Sequence, residues 1–155
     1  MKIQLLLPAG AIHRNKTGIF KRSLRYAPLT LTTLAALVPD DLNAQVTIQD
    51  EGVGPIDLDF EADIVGISAI TGTAPRAYDL ADQLRARGIP VVLGGVHPTL
   101  LPDEAAEHAD AVVVGYAEDS WPELLRDFAA GRLQRSCSGH IHIRRRRHSA
   151  NGATI

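Results

Sequence analysis

The sequence predicts an α/β fold in three layers, with a five-stranded parallel sheet between two layers of helices. Two observations carry that expectation. Five short apolar runs recur along the chain, each of strand length and nearly continuous in Val, Ile and Leu, as in strands buried on both faces. Segments with helical spacing of apolar residues separate them, so that parallel neighbours are joined by right-handed crossovers.

The elements follow in order. Residues 2 to 7 form the first strand, and Pro8 ends it. A long loop leads to a helix starting near Pro28, a residue suited to a first turn because it has no N–H to lose. That helix runs through Leu31, Leu34, Ala35 and Val38 until Pro39-Asp40-Asp41 stops it. The second strand is Gln45 to Gln49, ending at Asp50; Glu51-Gly52-Val53-Gly54-Pro55 is a turn, and residues 56 to 61 hold a short helical piece. The third strand starts at Ile64 and delivers Ser68. Thr73 caps the next helix, which has Pro75 in its first turn and Ala77, Leu80, Ala81 and Leu84 on its inward face before Gly88 stops it. Val91 begins the fourth strand, which ends at Gly94-Gly95. Pro102-Asp103-Glu104 opens a short helix whose acids suit its N-terminal dipole. Ala111 to Val114 is the fifth strand, and Ser120-Trp121-Pro122-Glu123 has the capping-box pattern for a last helix ending about Gly131. This succession fits the flavodoxin-like (Rossmann-like) order 2-1-3-4-5, whose switch point lies between the first and third strands.

Three successive strands end in small residues. Ile64-Val65-Gly66-Ile67-Ser68 continues as Ala69-Ile70-Thr71-Gly72-Thr73, the fourth strand as Gly94-Gly95-Val96-His97-Pro98-Thr99, and the fifth as Gly115-Tyr116-Ala117-Glu118. In open α/β sheets the carboxyl ends of the strands are where ligands bind. Short hydroxyl side chains there either bind a polar ligand or cap a helix, and paired glycines either admit a ligand to the backbone or make a tight turn. Three opened ends together favour a ligand. His97 follows the glycine pair and is a candidate contact or a turn residue.

Several functions are excluded or unsupported. No Gly-x-Gly-x-x-Gly follows the first strand and no Gly-x-x-x-x-Gly-Lys-Ser/Thr occurs, so dinucleotide and nucleoside-triphosphate cradles lack their fingerprints. A receiver-type switch needs acids after the first strand and an aspartate after the third, where Pro8-Ala9-Gly10 and Ser68 stand. Ser68 has no Gly-x-Ser-x-Gly context, so hydrolytic catalysis is not expected. His13 has no zinc-spaced partner, and no metal ligand is assigned. Cys137, the one cysteine, forms no internal disulfide and fits a reducing compartment. The apolar runs are strand-sized and Met1 leads directly into the first strand, so neither a membrane span nor secretion is expected, and the cytoplasm is the expected location.

The 155 residues allow one domain, but charge divides them. Of the 16 Lys+Arg, six lie from Arg132 onward, where no acid stands; ten therefore face 18 Asp+Glu across residues 1–131, a net charge of −8. Five of those ten, Arg14, Lys16, Lys21, Arg22 and Arg25, crowd the loop after the first strand, as a solvated loop or a flap meeting a phosphate or partner. Residues 132–155, with Arg144-Arg145-Arg146-Arg147, His140, His142 and His148, read as a basic, disordered tail, natural or from a truncation or frame change. Such runs grip nucleic acid in some proteins, but a solvated tail is the commoner state, and no nucleic-acid partner is expected.

Lys2 to Pro8, Tyr26-Ala27-Pro28-Leu29, Asp63 to Ser68, Thr73 to Tyr78, Val91 to Thr99 and Val114 to Ser120 together resemble the N-terminal cobalamin (vitamin B12)-binding domain of cobalamin-dependent radical S-adenosylmethionine enzymes. The likeness covers residues 1–131, and Gly-Gly-x-His-Pro-Thr with the later Gly-x-x-Glu is its most specific part. It implies a corrinoid, with its cobalt, over the carboxyl edge of the sheet and a nucleotide tail threaded into the domain. Ser68 and Thr71 would meet the tail, with Gly72 and Thr73 beside them; Gly94 and Gly95 would let it pass. Val96, His97, Gly115, Tyr116 and Glu118 would line the pocket or corrin face. Carriers related to methionine synthase have Asp-x-His-x-x-Gly after the first strand; His13 lacks that context, so a site without histidine ligation is expected. The family's Cys-x-x-x-Cys-x-x-Cys iron–sulfur motif is also missing. The expectation is thus a corrinoid-holding domain for a radical S-adenosylmethionine, methyltransferase-type partner protein or missing C-terminal domain, not catalytic alone. The alternative is a cofactor-free flavodoxin-like interaction module or a truncated product.

Overall fold

In a computed structural model describing residues 1–10, 29–133 and 136–138, the strands are β1 (Lys2–Leu7), β2 (Gln45–Asp50), β3 (Ile64–Ser68), β4 (Val91–Gly94), β5 (Ala111–Val114) and β6 (Ser136–Ser138). The helices are α1 (Thr30–Ala36), α2 (Ala74–Ala86), α3 (Val96–Leu100), α4 (Pro102–His108) and α5 (Ala117–Ala129). All strand pairs are parallel, in the order β2-β1-β3-β4-β5-β6. The expected 2-1-3-4-5 order is present. Ser136–Ser138 adds a sixth strand beside β5, within the segment expected to be a tail. The basic loop, His13, Pro28, the tail histidines and Arg144 to Arg147 lie outside the described residues.

Period-two alternation sends each strand's side chains into two cores. On one face Leu6, Val65, Ile67, Val91, Leu93 and Val112 meet Ala77, Leu80, Ala81 and Leu84 of α2 and Ala105 of α4. On the other Ile3, Leu5, Ile64, Val92 and Val113 meet Leu31 of α1 and Trp121, Leu124 and Leu125 of α5. Each large side chain buried in this way contributes about 1.5–3 kcal/mol. Helices therefore flank the sheet on both sides, α1 and α5 together on one.

Four local expectations are corrected. Residues 56 to 61 form no helix. Ile56, Leu58 and Phe60 alternate with exposed Asp57 and Asp59 and pack on the core, a period of two that suits extended chain. Gln49 fixes this segment by bonding the N–H and carbonyl of Asp57, and Arg87 donates to the carbonyls of Leu58 and Phe60. Thr73 stands at the N-cap of α2 without capping it; its hydroxyl turns back to the N–H and carbonyl of Ile70, both at 3.2 Å. Helix α5 starts at Ala117, so Ser120 is not its cap, and the Ser120 hydroxyl donates to the Tyr116 carbonyl at 3.0 Å. The segment Val96 to Leu100, read only as part of a rim, is a helical turn.

Candidate functional site

The carboxyl ends of β3, β4 and β5 open into a cleft of about 400 Å³ between α1 and α5. Strand parity explains it. Ile64 and Val92 face the α1/α5 core, so Gly66 and Ser68 on β3 and Gly94 on β4 continue that face toward the strand ends, with Gly115 just beyond β5. Ser68 and Gly94 are register partners. Where large residues would fill the space under the helices, the sheet offers two glycines and a serine.

Trp121 lines this cleft, against the sheet at Gly66. A Cβ built on Gly66 would stand 3.2 Å from the indole, so the bare backbone is what lets the ring lie on the sheet. The indole N–H donates to the Leu34 carbonyl of α1 at 3.1 Å, which ties the two cleft walls together. Thr30 and Thr33 of α1 add hydroxyls to the wall. Among the described lining residues Glu118 is the one charged side chain, so the cleft presents hydroxyls, peptide groups and apolar surface without a described cation.

The two glycines after β4 differ. Gly95 has φ +99°, and a Cβ there would be 2.8 Å from the Ala69 carbonyl oxygen; both constraints require glycine. Gly94 has ordinary φ, and its Cβ would meet Val113 at 3.5 Å, an ordinary contact. Gly95 shapes the turn. Gly94 leaves open space.

Of the residues singled out in the sequence, Ser68, Gly94, Gly95, Gly115, Tyr116 and Glu118 line the cleft. Thr71, Gly72 and Thr73 form a 3-10 turn leading into α2, with Thr71 and Gly72 exposed and Thr73 buried. Val96 is exposed on the rim, whereas the His97 side chain, 5% exposed, turns away into a polar cluster outside the cleft. Its Nδ1 is 3.3 Å from the Thr71 hydroxyl, and its Nε2 lies 3.0 Å from the Tyr78 hydroxyl and 3.3 Å from a Glu104 oxygen. Tyr78 also stacks on His108, which bonds Asp82 at 2.9 Å. Burial, reinforced by the Glu104 carboxylate, pushes the Tyr78 phenol up to about 12. No histidine is among the described residues lining the cleft, and no described cluster of three His, Cys, Asp or Glu is arranged to hold a metal ion.

Sequence reasoning assigned no site role to Gly66, Trp121, Thr30, Thr33, Ile70 and Thr99, although Ile70 and Thr99 lie in the rim segments it singled out. For Gly66 the signal was its parity with Ser68; for Ile70 it was position. Two residues beyond the ends of β3, β4 and β5 stand Ile70, Val96 and Tyr116, which are 52%, 59% and 73% exposed. Because the three strands are neighbours in the sheet, these equivalent positions make a row of exposed side chains along the rim, two aliphatic and one aromatic, an apolar ridge. The site therefore suits a large ligand with one broad apolar face and a polar extension narrow enough for the cleft.

The B12 binding domain family matches residues 17–125. Among curated proteins, the bacteriochlorophyllide d C-8(2)-methyltransferase of Chlorobaculum tepidum is 42% identical over 106 residues, covering 68% of this chain and 23% of the relative. The bacteriochlorophyllide d C-12(1)-methyltransferase of the same organism is 39% identical over 109 residues, 69% of this chain and 24% of that protein. An uncharacterized methyltransferase of Pyrococcus horikoshii is 34% identical over 149 residues, 85% of this chain and 30% of the relative. The chain thus spans roughly a quarter of the length of these curated relatives.

Proposed function

The chain belongs to the B12-binding domain family, with cobalamin as its cofactor, and from that premise we propose that it holds the corrinoid for a radical S-adenosylmethionine catalytic domain or partner protein. The observation that carries this reading is the stripped α1/α5 face of the sheet, where Gly66, Ser68, Gly94 and Gly115 leave a cleft beneath an apolar ridge. The residues fit the group. Ile70, Val96 and Tyr116 offer a broad apolar rest for the macrocycle, and the hydroxyls of Ser68, Thr30 and Thr33 can bond an amide-rich nucleotide tail, which the missing side chains at Gly94 and Gly115 let approach the sheet. Thr71 and Gly72 frame the ridge beside Ile70, Thr73 holds their turn in shape, and Glu118 borders the cleft at the start of α5.

Cobalamin, when bound, supplies a cobalt centre able to carry a methyl group. The chain's own part is to hold and orient. Trp121 and the apolar cleft walls would exclude water from the tail, while His97, engaged with Thr71, Tyr78 and Glu104, supports the rim. We assign this role to residues 1–131 acting in the cytoplasm; no described helix is long and apolar enough to cross a membrane. Methyl transfer, the reaction class common to the three relatives' names, is the reaction we propose for the assembled enzyme. The test is to mix the purified chain with hydroxocobalamin, desalt it, and record the visible spectrum. Retention of about one corrinoid per chain is expected, with quenching of the single tryptophan, Trp121. A colourless protein fraction overturns the reading.

A further inference from the structure

The apolar ridge is built from three separate loops, and a rigid flat ligand gains from it only if the loops keep a fixed spacing. One helical turn reaches all three. In α3, residues two apart point about 200° apart around the axis, so His97 and Thr99 face opposite neighbours. On the β3 side, the His97 N–H donates to the Ala69 carbonyl at 3.1 Å and the ring meets the Thr71 hydroxyl, bracketing Ile70. On the β5 side, the Thr99 hydroxyl donates to the Gly95 carbonyl at 2.8 Å and accepts the Gly115 N–H at 3.0 Å, next to Tyr116. Val96 rides on the turn itself. The Ala69 N–H donates to the Gly94 carbonyl at 2.9 Å, closing the first pair of loops from the other direction.

We propose that α3 is a clasp, in which His97 and Thr99 are positioning residues that lock the loops after β3, β4 and β5 into one platform and so set how tightly the corrinoid is held. This rests on the cobalamin reading above. Neither side chain needs to touch the ligand. The Thr99 hydroxyl uses both of its hydrogen-bonding roles within the protein, and deleting it leaves the Gly115 N–H without its partner, at a point where the chain has φ +87°.

The experiment compares wild type, Thr99→Val, which keeps the side-chain shape without the hydroxyl, and Thr99→Ser, which keeps the hydroxyl. In the full chain without ligand, amide exchange at Gly115 is expected to quicken about tenfold in Thr99→Val and to return to the wild-type rate in Thr99→Ser. Hydroxocobalamin affinity, read by Trp121 quenching, is expected to weaken about tenfold in Thr99→Val, with rescue by serine. A merely structural hydroxyl would lower the unfolding midpoint and leave affinity unchanged; that outcome overturns the proposal, as does unchanged exchange at Gly115. Failure of the wild type to retain cobalamin counts against the corrinoid reading instead, and exchange at Gly115 then decides the clasp by itself.

Discussion

Gly94 and Gly95 are adjacent and chemically identical, yet the backbone gives them different work. Gly95 occupies a conformation that L residues rarely adopt and lies against the Ala69 carbonyl, so Gly95→Ala is expected to destabilise the fold by roughly 1–3 kcal/mol. Gly94 faces the cleft with room for a Cβ. Gly94→Val is expected to change stability by no more than about 1 kcal/mol, within the span of strand propensities, while abolishing cobalamin retention by filling the entry. Urea unfolding and desalted spectra on both variants check the contrast; a Gly94→Val protein that keeps its corrinoid would show that the tail takes another route. The pair was legible in the sequence as an opened strand end. Its division of labour was not, because φ and the distance to Ala69 belong to the folded backbone. His97 shows the same limit: its place after the glycines was plain, but whether the ring faces the cleft or the α2 side depends on the helical turn that begins at Val96.

Between elements, the polar cluster of Tyr78, His97, Glu104, His108 and Asp82 joins α2 to α3 and α4 on the side of the sheet away from the cleft. The Tyr78 phenol keeps its proton up to about 12 in the folded chain against about 10 when exposed, since burial and Glu104 disfavour the phenolate. The native state therefore binds more protons than the unfolded state between those values, and stability should fall as pH rises from about 10 to about 12, with no pH dependence from this group below that window. Unfolding midpoints at about pH 9 and pH 11 test this; the alkaline loss is expected to be smaller in Tyr78→Phe, and an equal loss in both proteins rules out the effect. Five strands and the long α2 were readable because their apolar periods are unambiguous. The stretch 56–61 was misread since three apolar residues at alternate positions fit a short helix or extended chain until Arg87 and Gln49 are seen gripping its backbone. For α5, the Ser-x-x-Glu pattern drew the start four residues too late, since the N-cap is Tyr116 and Ser120 bonds backward to its carbonyl.

At the scale of the whole molecule, the cleft joins parts that are remote in sequence: α1, the ends of three strands, and α5, whose Trp121 reaches the Leu34 carbonyl across 87 residues. A ligand seated there touches both walls and the sheet, so it stabilises the native chain while having no comparable site on the unfolded one. Mass action then fixes the size of the effect, about 2.7 kcal/mol at a ligand concentration one hundred times Kd. For a domain of this length each kcal/mol moves the midpoint by about 2–4 °C, so saturating hydroxocobalamin is expected to raise it by roughly 5–11 °C and to keep raising it with the logarithm of concentration. The parallel order and the position of the rim could be read from alternating strands and helices; the cleft could not, because it arises only when α1 and α5 come to lie on the same face. Melting the wild type and Gly94→Val over a range of cobalamin concentrations separates site binding from general effects. Ligand-free midpoints within about 4 °C of each other and a ligand-dependent rise in the wild type alone are expected, whereas a parallel rise in both proteins places the corrinoid outside this cleft.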